Sequence, residues 1–405
     1  MRKCVVIPDS FKGSVSSMDI CSIVKEQIEQ IFPQCEVVCI PVGDGGEGTL
    51  ECFHAALGGE MRDCLASGPF FEERIARYLL LPDRNTAVLE VAQCVGLPLV
   101  QGRQEPGLAT TFGVGRMILA ALKSGVRKII IGLGGSCTND GGLGMAAALG
   151  ARFFDAENRE FIPTGDSISR IGRMDVGRMA PELNGVEVVA MCDVNNPLWG
   201  ENGASMVFGP QKGADEAHAQ QLDRNLRFLD QLLARDLKKA VGHVPGSGAA
   251  GGLGAAILAF LGGSLKSGIE TVLDTVRFDE IVQDADLVIT GEGKLDSQSL
   301  NGKVIQGVTQ HAQKWNVPVV ALVGMLEDGI DALYQNGLTA AFTVGTRACP
   351  LEEAMQRAKH DLAVTARNLC GFLKCRDVER QASSSDDCRR QETGEYADAE
   401  PGKRH

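Results

Sequence analysis

At 405 residues the chain is long enough for two or three domains with sizeable cores. Apolar residues make up 44% of it and its net charge is −12, an acidic balance that argues against nucleic acid as the main partner, because such proteins neutralise phosphates with clustered Lys and Arg. An anionic small molecule stays open, since a site needs only a few local cations. The cysteines number 13, an odd count, and they are scattered without a C-x-x-C pair, which reads as reduced thiols in a cytosol. The apolar run after Met1-Arg2-Lys3 is too short for a signal segment, and no stretch is long enough to span a membrane, so the chain is expected to be cytoplasmic with no membrane partner.

The first predicted strand, Lys3 to Pro8, ends in Asp9-Ser10-Phe11-Lys12-Gly13-Ser14. Ile20, Ile23, Val24, Ile28 and Ile31 then keep helical spacing, so one helix face packs on a sheet. A second strand, Glu36 to Pro41, runs into Gly43-Asp44-Gly45-Gly46-Glu47-Gly48-Thr49, where another helix starts. Strand, helix, strand, helix with short polar turns predicts parallel strands joined by right-handed crossovers. Residues 75–82 and 86–92 read as two strands around Asp83-Arg84-Asn85, a hairpin signal that places a change of domain near residue 80.

Ala109-Thr110-Thr111 caps a helix with Val114, Ile118, Leu119 and Leu122 on one face. A strand from Arg127 to Ile131 meets the loop GLGGSCTNDGG (132–142), and a strand from Val186 to Met191 ends in Cys192-Asp193-Val194-Asn195-Asn196-Pro197. A long amphipathic helix carries Leu222, Leu226, Leu229 and Leu233, and PGSGAAGGLG (245–254) opens another. Asp286 to Thr290 is a short buried strand, predicted to turn at Gly291-Glu292-Gly293, which glycines do cheaply. Lys294, Asp296 and a polar helix start at Ser297-Gln298-Ser299 follow. Val317 to Val323 and Leu338 to Val344 are further strands, and Leu351 to Lys374 is the last long helix. Because residues 285–375 resume the alternating pattern, they are expected to rejoin the N-terminal sheet. Residues 1–80 and 285–375 then form a discontinuous α/β domain with 81–284 as an inserted α/β domain. Residues 376–405 are polar and charged, with Val378 the one sizeable aliphatic, and read as a disordered tail.

In open parallel sheets, ligands bind outside the carboxyl ends of the strands. Five polar or glycine-rich loops fall there: 9–14, 43–49, 132–142, 192–203 and 290–296. They carry the cations Lys12 and Lys294, with Lys212 and Lys303 further off, and the carboxylates Asp9, Asp44, Glu47, Asp140, Asp193, Glu292 and Asp296. Carboxylates outnumber cations, which suits phosphate carried with Mg²⁺ better than phosphate alone. Phosphoryl transfer needs positioning, charge neutralisation and one group to accept the nucleophile's proton, a task an ordinary Asp can perform. No histidine lies in these loops, and neither a G-x-S-x-G elbow nor a Walker A loop occurs, which argues against Ser-His-Asp hydrolysis and a P-loop enzyme. Gly246 to Gly251 matches G-x-G-x-x-G, but His243-Val244-Pro245 precedes it rather than an apolar strand, so an NAD-dependent oxidoreductase is the weaker alternative.

Taken together, PDSFKGS (8–14), PVGDGGEGT (41–49), ATTFGVG (109–115), GLGGSCTNDGG (132–142), CDVNNPL (192–198), GENGAS (200–205), FGPQKGA (208–214), PGSGAAGGLG (245–254) and ITGEGKLDSQS (289–299) resemble the type I glycerate kinases from the N-terminus to about residue 375. Gly43 and Cys137 stand where that pattern has alanine. The resemblance implies two α/β domains, one Rossmann-like and one flavodoxin-like, with the site in the cleft between them. It also implies ATP-dependent phosphorylation of D-glycerate, with 2-phosphoglycerate favoured over 3-phosphoglycerate; a kinase for another short hydroxy acid is the nearest alternative. Within that reading Lys12 and Lys294 are expected to neutralise substrate carboxylate or ATP phosphates. Asp44 is the first candidate for the proton acceptor and Asp193 the second. Asp193 and Asp296 are the expected Mg²⁺ carboxylates, and the backbone around Gly134, Gly135 and Ser136 and around Gly291, Glu292 and Gly293 the expected phosphate cradle. A homo-oligomer is left open.

Overall fold

The apolar strand segments and amphipathic helices assemble as their periodicities require. The first strand, β1 (Lys3–Pro8), is buried from Cys4 onward. The helix after it, Ser17–Ile31, starts on Ser16, whose hydroxyl accepts the Asp19 N–H, and it buries Ile20, Val24 and Ile28. The structure, a computed structural model, describes residues 1–296 and 304–392. The chain continues through β2 (Glu36–Cys39), β3 (Glu60–Ser67), β4 (Glu73–Leu80), β5 (Thr86–Glu90) and β6 (Lys128–Gly132). A small antiparallel sheet of β7 (Arg152–Phe154), β8 (Glu160–Phe161) and β9 (Arg173–Asp175) follows. Then come β10 (Glu187–Met191), β11 (Ser264–Lys266), β12 (Leu287–Leu295), β13 (Val319–Leu326) and β14 (Leu338–Thr343).

Five of these strands make an all-parallel sheet in the order β14-β13-β12-β1-β2. Counted along the chain this is the flavodoxin-like order 2-1-3-4-5, and its topological switch point lies between β1 and β12. The second sheet, β11-β10-β6-β5-β4-β3, is parallel from β11 to β5 and antiparallel at the β4 and β3 edge. The hairpin at Asp83-Arg84-Asn85 is the β4–β5 turn, with Asp83 Oδ1 accepting the Asn85 and Thr86 N–H groups, each at 2.9 Å. The second sheet is inserted between β2 and β12 of the first, so the fold is two mostly parallel α/β units with one inside the other.

Several expectations shift. The change of sheet comes before residue 80, because β3 already pairs with β4 in the second sheet. Edge strand β3 buries fully only Ala66 and Ser67, so its sequence lacks the clean apolar alternation that would have announced it. The chain also returns to the first unit before residue 285: Ile269, Val272, Leu273 and Phe278 pack in one cluster with Val288 and Ile305. Lastly, Gly291-Glu292-Gly293 is not a turn. β12 runs on through it, pairing Gly291 with Leu322 and Glu292 with Val323. A Cβ on Gly291 would lie 2.2 Å from the Leu322 carbonyl oxygen, so this glycine serves close strand packing. The expected helix start at Ser297-Gln298-Ser299, and Lys303, lie outside the described residues.

Helix Ser17–Ile31 and the last helix, Leu351–Glu392, cover the same face of the first sheet, where Leu362, Ala366 and Cys370 join Val24 and Ile28. The last helix runs beyond Lys374 into the segment expected as a disordered tail; Arg, Glu, Gln and Ala support helix there, and no Gly or Pro interrupts before Gly394. Residues 393–405 lie outside the described residues. On the opposite face the cluster around Ile7, Leu50 and Val288 continues into Leu79, Val88 and Ile130 of the second sheet, so the two units share a core. The described cysteines are all free.

Candidate active site

The carboxyl ends of β1, β12, β6 and β10, with the loop after β2, face one cleft of about 1020 Å³. Members of all five loops line it, among them Lys12, Asp44, Ser136, Asp193 and Lys294. Residues far apart in sequence thus meet at the switch point, where an α/β sheet opens a crevice.

Two glycine loops bring the units together. Gly134 N–H donates to the Gly45 carbonyl at 2.9 Å. A Cβ on Gly132 would sit 2.3 Å from the Gly45 oxygen, and one on Gly134 2.7 Å from the Gly46 nitrogen. Only glycine permits this backbone contact. It ties the loop carrying Asp44 to the loop carrying Gly135 and Ser136. Among the described residues, the N–H groups of Gly135 and Ser136 have no acceptor.

On the first-sheet wall, buried Phe11 anchors the loop after β1 through paired bonds with Val15. Lys12 is thereby carried out to Asp44, Nζ to Oδ2 at 3.1 Å, while Asp44 Oδ1 accepts the Gly46 N–H at 3.0 Å. The Asp44 charge holds the Lys12 ammonium above the usual lysine range. Burial pushes the Asp9 carboxyl up to about 6, with the Asp44 charge adding to the rise and the Ser10 N–H and Lys12 opposing it. Asp193 comes from the second unit and is raised in the same way, chiefly by burial and then by Asp44. Its Oδ1 accepts the Gly268 N–H at 2.7 Å, at the first turn of helix Gly268–Val276. Asp9, Lys12, Asp44 and Asp193 therefore form one electrostatic cluster in which negative charge is in excess.

Glu292, Gly293 and Lys294 line the cleft, whereas Gly291 lies within the sheet ladder. Lys294 Nζ is held between Asp296 at 3.2 Å and Glu327 at 2.9 Å. Asp296, expected with Asp193 at a metal, is mostly buried, pairs with Lys294 and does not line the cleft. Among the described residues no three His, Cys, Asp or Glu side chains converge closely enough to enclose a metal ion. Of the carboxylates that line the cleft, Asp9, Asp44 and Asp193 cluster around Lys12 and offer hard oxygen donors. They fit a Mg²⁺ held by one or two carboxylates, waters and a substrate's phosphates.

Asp140 does not line the cleft. It is fully buried and accepts from Thr111 N–H at 2.7 Å, Thr111 Oγ1 at 2.9 Å, Gly142 N–H at 3.0 Å and Gly144 N–H at 3.2 Å, bracing the 132–142 loop. The 246–251 glycines are likewise filled by protein: a Cβ on Gly248 would meet the Pro197 carbonyl at 2.2 Å and one on Gly251 the Thr138 carbonyl at 2.0 Å. Those contacts are helix-to-loop packing and leave no cradle for a dinucleotide.

Sequence reasoning missed two residues. Asp9 was one carboxylate among seven, and only burial singles it out. Lys212 looked remote from the strand ends, yet it lines the cleft at 3% exposure, with Nζ 3.0 Å from Ser136 Oγ and 2.8 Å from the Thr138 carbonyl.

A flavodoxin-order sheet, an inserted second unit and an acid–lysine cluster at the switch point make an α/β protein with a cleft of small-molecule size. The glycerate kinase family model matches residues 4–374. The chain is 43% identical to the glycerate 2-kinase of Escherichia coli K12, over 92% of this chain and 98% of that protein. It is 41% identical to the glycerate kinase of Bacillus cereus, over 92% and 98%. A solved glycerate kinase 2 structure from Salmonella typhimurium LT2 matches with a TM-score of 0.82 at 39% identity, covering 93% of this chain and 99% of that one. The chain belongs to the glycerate kinase family.

Proposed function

We propose that the protein transfers the γ-phosphoryl group of ATP to a hydroxyl of D-glycerate in the cytoplasm, with the 2-hydroxyl as the favoured acceptor. The convergence of five loops from two sheets on one acid–lysine cleft carries this reading, and the cleft volume of about 1020 Å³ gives room for a nucleotide and a short acid together. Membership of the family supports the kinase class, and the name of the Escherichia coli relative supports the 2-position. Among the described residues no helix is long and apolar enough to cross a membrane.

In this reading the Gly134–Ser136 backbone holds phosphate oxygens, and Lys12 and Lys294 neutralise the developing charge. Glu292 and Gly293 shape the phosphate side, while Gly291 fixes the strand beneath them. Asp193 and Asp44 are the candidates for accepting the hydroxyl proton. Burial and the Asp44 charge raise the Asp193 carboxyl above the usual range, which strengthens it as a base, and Asp44 is engaged by Lys12, so Asp193 moves ahead of Asp44. Asp9 and Asp193 would hold a Mg²⁺ directly or through water. When bound, that ion would offset phosphate charge.

The test is incubation with ATP, Mg²⁺ and D-glycerate, with ³¹P NMR to identify the phosphorylated carbon. Multiple turnover to 2-phosphoglycerate is expected. A 3-phosphoglycerate product would correct the position, and turnover with lactate or glycolate but not glycerate would overturn the substrate.

A further inference from the structure

The FGPQKGA segment has no part in the mechanism above, yet it delivers the most deeply buried lysine of the cleft. Pro210–Lys212 is a single 3₁₀ turn closing helix Ala204–Phe208, and Gly213 follows at φ +102°. The turn points the Lys212 side chain inward rather than to solvent. Its ammonium rests on two neutral oxygens, Ser136 Oγ and the Thr138 carbonyl, and among the described residues no carboxylate lies within ion-pair distance. A buried ammonium without a counter-ion is costly unless something anionic completes it. The same wall presents the Gly135 and Ser136 N–H groups, which have no acceptor among the described residues.

We propose that Lys212 is the buried anion anchor of the cleft, its ammonium and the Gly135 and Ser136 amides together receiving one oxyanion, carboxylate or phosphate, of a bound substrate. This deepens the kinase reading and rests on it for the identity of the ligands. The titratable groups that bear on Lys212 are Cys137 and Asp140. The Cys137 thiol is pushed by burial up to about 12, and the Asp140 carboxylate is taken up by the 111, 142 and 144 donors. Burial brings Lys212 itself down to about 8. An anion arriving beside it favours the ammonium, so binding near that pH draws a proton from solution.

Calorimetric titration of D-glycerate and, separately, of ATP with Mg²⁺ into wild type and Lys212→Met tests this. Lys212→Met is expected to weaken one ligand by at least about tenfold and the other by less than about twofold. Selective loss of glycerate assigns the oxyanion to a carboxylate, and selective loss of ATP assigns it to a phosphate. Both affinities unchanged, or both reduced together with the melting temperature, would make Lys212 a structural brace and overturn the proposal. Where Lys212→Met does not fold, wild-type titrations at about pH 8 in buffers of different ionisation enthalpy decide. Proton uptake with one ligand is expected, and none with either overturns the anchor. The kinase reading fails separately, as absent turnover by wild type. Inorganic phosphate then serves as the probe in the same titrations.

Discussion

On the first-sheet wall of the cleft the lysines are exposed and paired, whereas Lys212 on the second-sheet wall is buried on neutral oxygens. Lys12 is 76% exposed beside Asp44, and Lys294 is 49% exposed between Asp296 and Glu327. Exposed pairs are screened by water and re-form at little cost, so such lysines can leave one carboxylate for an incoming phosphate. A buried ammonium has shed its water during folding and costs no reorganisation when the ligand arrives. The comparison assigns adaptable charge to the first-sheet wall and fixed charge to the second-sheet wall.

The sharpest way to break that division is to remove the acids between the walls. Asp193→Asn is expected to lower kcat at least about a hundredfold, the range for a lost general base, with ATP binding retained. Asp44→Asn should lose turnover less severely, because it also releases Lys12 from its ion pair. If kinetics show Asp193→Asn turning over like wild type while Asp44→Asn is dead, the proton acceptor is Asp44.

Asp9 sharpens the comparison through stability. Its folded pKa of about 6 lies above the ordinary 3.8, so the folded state binds this proton more tightly than the unfolded chain. The contribution to stability is fully present below about 3.8 and is lost as pH rises through about 6. At neutral pH the ionised group therefore opposes folding by up to about 3 kcal/mol. Asp9→Asn keeps the shape without the charge. Calorimetry should find it more stable than wild type near neutral pH and equal below about pH 4, with reduced turnover. A melting difference independent of pH would show that burial of charge is not the cause.

The joint between the walls comes next in size. In Gly134→Ala the new methyl would meet Gly46 Cα and N at 2.7 Å, and neither backbone can swing aside as a side chain would. Overpacking of this kind costs about 1–3 kcal/mol. Lower melting temperature and lower activity are expected together, since the strain displaces the Asp44 loop; an unchanged melting temperature would mean that the two loops are not held in register.

How much of this was legible in the sequence depends on whether the cause was local. Lys12, Asp44, Ser136 and Asp193 follow directly on apolar strands, so strand periodicity alone put them at one end of a sheet. Strand β3 was invisible because an edge strand with charged residues at Glu60, Arg62 and Asp63 carries little apolar alternation. Gly291 and Gly293 read as a turn because the letters do not say that a neighbouring strand will press against Gly291, as Leu322 does. The depth of Lys212 is set by a helix and a loop, residues 204–208 and 136–138, that lie far apart in the chain. The burial of Asp296 away from the cleft wall is likewise decided by tertiary packing.

Lys294→Ala, the smallest effect of the series, separates the two kinds of lysine most cleanly. Because Lys294 is half exposed and its ion pairs with Asp296 and Glu327 are solvated, its removal should leave the melting temperature unchanged. The lost neutralisation should still cut kcat/KM about tenfold, equivalent to about 1.4 kcal/mol of transition-state stabilisation. Such a lysine acts on charge that develops during transfer, so the loss should fall on kcat more than on KM. A loss confined to KM would make Lys294 a second ground-state anchor like Lys212. Lost stability with kinetics intact would place it among the residues that merely hold β12 against Glu327, and the division between an adaptable wall and a fixed one would no longer stand.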